Sequence, residues 1–167
     1  MAQLSWSEKG SLLAKEYLNN YGIHLIYESH LPKTYLDGAV CLHAGGNPVV
    51  ALTLRHDKLD NFWFTLMHEL AHIALHIDGE NTWFIDDLDA KSIDKCEQEA
   101  DELAQLALLP VAQKTLDVIF DSNSVRRLAH KLNVHGCVIA GRLRHERDDH
   151  KLFGRLFRNK IRDLILV

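Results

Sequence analysis

Within residues 62–76, an otherwise largely apolar run, the chain sets His68, Glu69 and His72 in the order HExxH. Residues four apart on an α-helix share a face, so His68 and His72 aim two imidazoles at one point. Two neutral imidazoles supply half of a tetrahedral zinc site. Glu69 projects off that axis and does not compete for the same coordination position. It can reach a water held on a metal, which is where a general base belongs. Five residues are too short a pattern to carry this alone, so the setting decides. Phe62, Trp63, Leu66, Ile73 and Leu75 surround the polar group and predict a buried helix. Histidine and glutamate buried without partners are costly. They either hydrogen-bond within the core or hold a metal, and the metal reading is the stronger.

A catalytic zinc takes three protein ligands and keeps a fourth position for water. His76 shares the face of His68 and His72, yet eight residues span about 12 Å along the axis, against zinc–nitrogen bonds of about 2.0–2.1 Å. Ala74 and Leu75 offer no glycine at which the chain could turn back. His76 is therefore expected at the helix end, supporting a ligand from behind. The next strong helical pattern, Lys95 to Leu109, holds Glu97 and Asp101 four apart. One carboxylate can bind the metal while the other accepts the remaining N–H of a ligand imidazole. Glu97 is favoured as ligand and Asp101 as the orienting group; Glu99 is a lesser candidate and Glu102 a surface residue. Ala100 and Ala104 would let this helix approach the HExxH helix closely.

The rest of the chain reads as α+β: a small three-stranded sheet packed on the HExxH helix, then a mostly helical C-terminal half. A helix is expected over 11–20, on Leu12, Leu13, Tyr17 and Leu18. Strands follow at 23–28, 39–43 and 49–54, punctuated by Leu31-Pro32, an Asp37-Gly38 turn and Gly45-Gly46-Asn47-Pro48. Asp60 or Asn61 suits the N-cap of the HExxH helix, with Asp78-Gly79 ending it. Residues 80–93 read as a loop anchored by Trp83, Phe84 and Ile85, and Asp94 as a cap. Further helices are expected over 113–120, 124–132, 135–146 and from 149 onward. The strand at 49–54 is expected to take a substrate backbone as an additional strand.

Composition narrows the class. The chain has 167 residues, 47% of them hydrophobic, enough for one domain with a real core. No window approaches a membrane span. The N-terminus MAQLSWSEKG is polar and does not read as a secretory signal, and Cys41, Cys96 and Cys137 form no CxxC pair. A cytoplasmic protein with thiols is expected, without a cysteine-rich zinc site. The net charge of −4 divides into −11 over residues 1–125 and +7 over 126–167. The basic C-terminal part suits docking on the acidic body or an acidic partner.

HELAH (68–72), followed about 25 residues later by EQEADELAQLALLP, resembles the ImmA/IrrE family of zinc metallopeptidases. DNFWFTLMHELAHIALH (60–76), LPKTYLDGA (31–39) and VHGCVIAGRLRHE (134–146) extend the likeness over most of the chain. Leu103 stands where the family often has Phe, and LLP replaces the commoner LMP; neither touches a proposed ligand. The resemblance implies a gluzincin-like site, with Zn²⁺ on His68, His72 and Glu97, and one metallopeptidase domain over 1–167. Residues 1–110 would carry the sheet and zinc-site helices, and 111–167 a helical subdomain. It also implies a protein substrate, a transcriptional repressor or antitoxin, and a helix-turn-helix regulator of the HigA-like kind as partner or fused domain; none is expected in this chain.

The expected reaction is peptide hydrolysis, with Glu69 moving the proton from water to the leaving amine. His130, His135, Tyr35 and Arg126 are the candidates for stabilising the oxyanion. Two other classes remain in view. Residues 127–143 have a helix-turn-helix rhythm with basic residues nearby, although packed helices covering the core explain them better than nucleic-acid binding. The metal fold could also serve as a sensor or interaction module without protease activity.

Overall fold

The computed structural model describes residues 1–30, 33–77, 82–87 (84–87 as backbone), 95–154, 157 and 160–165. The expected signals at Leu31-Pro32, Asp78-Gly79 and Asp94 lie outside these residues. The first helix, α1 (Gly10–Asn20), forms where expected but faces differently. Ala14 and Leu18 enter the core while Leu12, Leu13 and Tyr17 stay exposed. A preceding 3-10 turn (Ala2–Trp6) packs against the start of α1. It presses so closely on Gly10 that a Cβ there would stand 2.1 Å from the Leu4 carbonyl oxygen.

Four strands follow: β1 (His24–Tyr27), β2 (Leu36–Leu42), β3 (Pro48–Leu52) and β4 (Trp83–Asp87). They form a mixed sheet in the order β1-β3-β2-β4, with β1 parallel to β3 and β2 antiparallel to both β3 and β4. The three expected strands are present, so the α+β class holds. The fourth replaces part of the loop expected over 80–93. The β2–β3 hairpin closes through His43 and Asn47, with Gly46 at φ +84°, a conformation glycine tolerates at no steric cost. β3 cannot take a substrate strand, because β1 and β2 already occupy both of its edges.

Gly38, expected in a turn, is the third residue of β2 and pairs with Leu52. Thr53 and Arg55 hold this end of the strand. The Thr53 hydroxyl donates to the Leu36 carbonyl at 2.6 Å, and the Arg55 guanidinium grips both oxygens of buried Asp37 at 2.7 and 3.0 Å.

Helix α2 (Leu59–Leu75) carries the HExxH residues. Its apolar face, Phe62, Trp63 and Leu66, is buried in one continuous core with Leu25, Val40, Val50 and Leu52 of the sheet. Its N-cap is Lys58, not Asp60 or Asn61. Asp60 instead pairs with Arg144 at 2.6 Å, an ion pair only 13–14% exposed. Across α2 lies α3 (Lys95–Leu108), whose buried residues are Ala100, Ala104 and Leu108. Both alanines are completely inaccessible, and α3 packs on α2 more extensively than any other element does.

The C-terminal part is helical: α4 (Gln113–Asp117), α5 (Ser122–Leu132), α6 (Gly136–Glu146) and a short α7 (Arg162–Ile165). Turns, not the expected helix, run through 149–154. Asp121 caps α5 by accepting from the backbone N–H groups of Asn123 and Ser124, at 2.8 and 2.9 Å. Asn133 ends α5 in the left-handed region, and His135 caps α6. Gly141 does not interrupt α6. It lets that helix approach Asp60 of α2, where a Cβ would meet Asp60 Cβ at 3.0 Å. Cys137, Val138, Ile139, Ala140 and Leu143 of α6 are buried, as expected of a helix that covers the core. Among the described residues, no helix is long and apolar enough to cross a membrane.

The α2–α3 contact is tight enough to be sensitive to single methyl groups. Ala104→Leu is expected to lower the unfolding free energy by about 1–3 kcal/mol, the usual cost of overpacking a filled interface. Urea denaturation would measure this, and wild-type stability would show that the helices have slack between them.

Candidate metal centre

The site is built where the middle of α2 faces the first turn of α3. His68 and His72 are 3% and 1% exposed, so neither imidazole can rely on water for its hydrogen bonds. Their Nε2 atoms lie 3.0 Å apart. Glu97 closes the triangle, with Oε2 3.1 Å from His68 Nε2 and Oε1 3.3 Å from His72 Nε2. The neighbouring imidazoles, His68 first and His72 second, hold the Glu97 carboxyl down to about 2, against the opposing effect of burial. The group is therefore ionised at any physiological pH.

These spacings test the fit of a cation. Tetrahedral bonds of about 2.0–2.1 Å place ligand atoms about 3.3–3.4 Å apart. The two imidazole nitrogens lie 3.0 Å apart, and the Glu97 carboxylate meets them with one oxygen each, at 3.1 and 3.3 Å, so the group can close on one small cation. Among the described residues, His68, His72 and Glu97 are the group whose potential ligand atoms all lie within 4.8 Å of one another. Two nitrogens and a carboxylate at these distances have more lone pairs than protons to share, and a divalent cation satisfies all three at once.

Asp101 takes the position expected of it. Its Oδ1 is 2.9 Å from His68 Nδ1. A carboxylate accepts and does not donate, so the His68 proton resides on Nδ1 and the Nε2 lone pair faces the centre. His76 is not part of the triangle. Its Nδ1 lies 3.0 Å from His72 Nδ1 and its Nε2 3.2 Å from Glu99 Oε2. Glu102 is exposed.

Glu69 is fully buried and packs against the backbone of β2. A Cβ added to Gly38 would fall 2.2 Å from Glu69 Oε1 and 2.8 Å from its carboxyl carbon. Gly38 is there because no other residue leaves space for the carboxylate. Sequence reading missed this role, although a glycine inside a strand is itself a sign of close approach. Glu99, the lesser candidate for the metal, pairs instead with His76.

Beside His68 opens a cavity of about 530 Å³ between α2, α3 and α6. Phe64, Leu108, Leu109 and Val138 give it apolar walls, and Asp101 lies at the end nearest the triangle. Arg144 also lines it but is already paired with Asp60. None of the four oxyanion candidates does. His130 packs edge-on against Trp6 at 4.8 Å, and Arg126 reaches Asn123. His135 accepts from the Cys137 N–H as a helix cap, and burial lowers its pKa. Tyr35 lies under Arg55, 5.6 Å from ring centre to guanidinium carbon.

Comparison with known protein families gives one match. The Peptidase_M78 model, described as the IrrE N-terminal-like domain, aligns with residues 18–144. That span includes every residue of the triangle, Glu69, Gly38 and the cavity walls except His145 and His150. No curated protein matches the chain.

The contact between Gly38 and Glu69 makes a measurable coupling. Gly38→Ala alone is expected to destabilise the fold by about 1–3 kcal/mol, because the carboxylate must be displaced. In a Glu69→Ala background the same change should cost little, giving a coupling of about 0.5–3 kcal/mol in a double-mutant cycle. Additive costs would place the Glu69 side chain away from β2.

Proposed function

This chain belongs to the M78 peptidase family, and from that premise we propose that it is a zinc-dependent endopeptidase acting on a regulatory protein. The observation that carries the reading is the convergence of buried His68 and His72 with the Glu97 carboxylate, their potential ligand atoms all within 4.8 Å of one another. Those three residues would hold the zinc. When bound, zinc lowers the pKa of a water and polarises a carbonyl. An all-nitrogen-and-oxygen ligand set with room for a fourth partner suits a catalytic site better than a structural one, which is closed by four protein ligands and often by cysteine.

The protein's own residues divide the remaining work. Glu69 takes a proton from the attacking water and returns it to the leaving nitrogen. Its place is defined from both sides, by the helix that carries it and by the Gly38 backbone against which it lies. Asp101 fixes the tautomer of His68. The apolar cavity beside His68 receives side chains of the substrate, and its size is in the range that encloses a ligand. Lys58, His145 and His150 also line the cavity. Lys58 can offer its ammonium, and the imidazoles an N–H, to an oxyanion or a substrate carboxylate, whereas Arg142 and Arg144 are engaged by Glu146 and Asp60.

The chemistry requires an extended peptide, and β4 is the outer strand beside β2 at which a substrate backbone can pair. A repressor or antitoxin bearing a helix-turn-helix domain is the proposed target, on the strength of the sequence likeness to regulator-associated members of the family. Such a protein would present the extended linker that a narrow site needs. A cytoplasmic location follows from that choice of substrate.

Glu69→Gln separates metal binding from chemistry. The variant is expected to retain about one zinc per chain and to lose cleavage by about 10²- to 10⁴-fold. It would therefore serve as a trap for capturing the substrate, whose cut site would then be mapped with the wild-type enzyme. Removal of zinc by a chelator should abolish the same cleavage, and zinc addition restore it. Cleavage undiminished in Glu69→Gln, or insensitive to chelation, would refute the mechanism.

A further inference from the structure

A chain of groups reaches His72 from the surface of α3. Glu99 stands 3.3 Å from Lys95 and 3.2 Å from His76 Nε2. His76, only 7% exposed, turns its other ring nitrogen to His72 Nδ1 at 3.0 Å. The backbone reinforces the contact, since the His72 carbonyl accepts from the N–H groups of both His76 and Ile77, at 2.9 and 3.0 Å.

The direction of each bond follows from the end of the chain. A carboxylate offers no proton, so His76 donates from Nε2 to Glu99. The Nδ1 of a neutral imidazole protonated at Nε2 is an acceptor. His72 must then donate from its Nδ1, which leaves the lone pair of His72 Nε2 facing His68 and Glu97. His68 is set in one step by Asp101; His72 is set in two, through a third histidine.

We propose that Glu99 and His76 form a relay that fixes the tautomer and ring orientation of His72 toward a divalent cation. Both are positioning residues, since neither touches the reacting atoms. The inference rests on the zinc reading of the site given above and extends it to groups outside the ligand triangle. It also accounts for a histidine at the end of α2 that is too far along the axis to bind the metal itself.

The test measures zinc affinity, by competition with a chromophoric chelator, on the full chain prepared metal-free. His76→Leu is expected to raise the zinc Kd by about 10- to 100-fold, the usual penalty for losing a group that orients a metal-binding histidine. His76→Asn keeps an oxygen acceptor near the former Nδ1 and should remain within about threefold of wild type. Glu99→Leu should weaken binding in the same direction by a smaller factor. Cobalt(II) provides a second readout, its visible absorption bands shifting in His76→Leu and returning in His76→Asn. Thermal unfolding of the metal-free proteins should not follow this order, because the role concerns the cation and not the core.

Equal zinc affinity in wild type and His76→Leu would overturn the relay, as would His76→Asn binding as weakly as His76→Leu. Should His76→Leu fail to fold, Glu99→Leu decides in the same assay, because its side chain is 43% exposed and its loss leaves the core intact. Unaltered affinity there would overturn the relay. Failure of the wild-type chain to bind zinc would instead bring down the reading of the site, and the relay with it.

Discussion

The site depends on how closely α3 can lie against α2. Ala100 and Ala104 present only methyl groups at the contact, and both are wholly buried. A larger side chain at either position would hold the helices apart and draw Glu97 away from the two imidazoles. The spacing of the donor atoms is thus set by apolar packing, not by attraction among the polar groups themselves. That order of cause matters energetically. Two imidazoles would not be buried beside carboxylates unaided, since desolvation opposes it. The surrounding core, from Leu25 and Val50 to Ile139 and Leu143, supplies the stabilisation that holds them there.

Electrostatics then favours a cation at the point of convergence. His72 lies in the last turn of α2, whose C-terminal end carries partial negative charge, while Glu97 lies in the first turn of α3, whose N-terminal end suits a carboxylate. Beyond Glu97, Asp101 and Glu99 add negative charge through the histidines they engage. On the other side of α2, the Asp37–Arg55 pair and the Thr53 hydrogen bond hold β2 in register, so that Gly38 meets Glu69. The general-base candidate is therefore confined by the sheet, and the ligand triangle by the neighbouring helix. The two are independent constraints on adjacent residues of one helix.

Much of this was legible in the sequence where the physics is local. His68 and His72 four apart on an apolar helix, and Glu97 and Asp101 four apart on the next, are read directly from helical spacing. The alanines between them already indicated close contact. What escaped was set by partners remote in sequence. Asp37-Gly38 has the composition of a turn, yet Gly38 is required by Glu69, 31 positions on. Asp60 has the chemistry of an N-cap, yet Arg144, 84 positions on, takes its carboxylate. Trp83–Asp87 carries acidic residues and reads as loop, but joins the sheet because β2 has an edge to offer. Strand order has no local signature at all, which is why the placement of β3 between β1 and β2 ruled out its expected role as a substrate strand.

The central claim is that one zinc is held by His68, His72 and Glu97. X-ray absorption at the zinc edge of the purified protein tests it most directly. A four-coordinate ion is expected, with nitrogen and oxygen neighbours only, at about 2.0–2.1 Å, two of them imidazoles. His72→Ala should lose the metal. A sulfur neighbour at about 2.3 Å would contradict it, because it would put Cys96 in place of Glu97. So would full zinc content in His72→Ala.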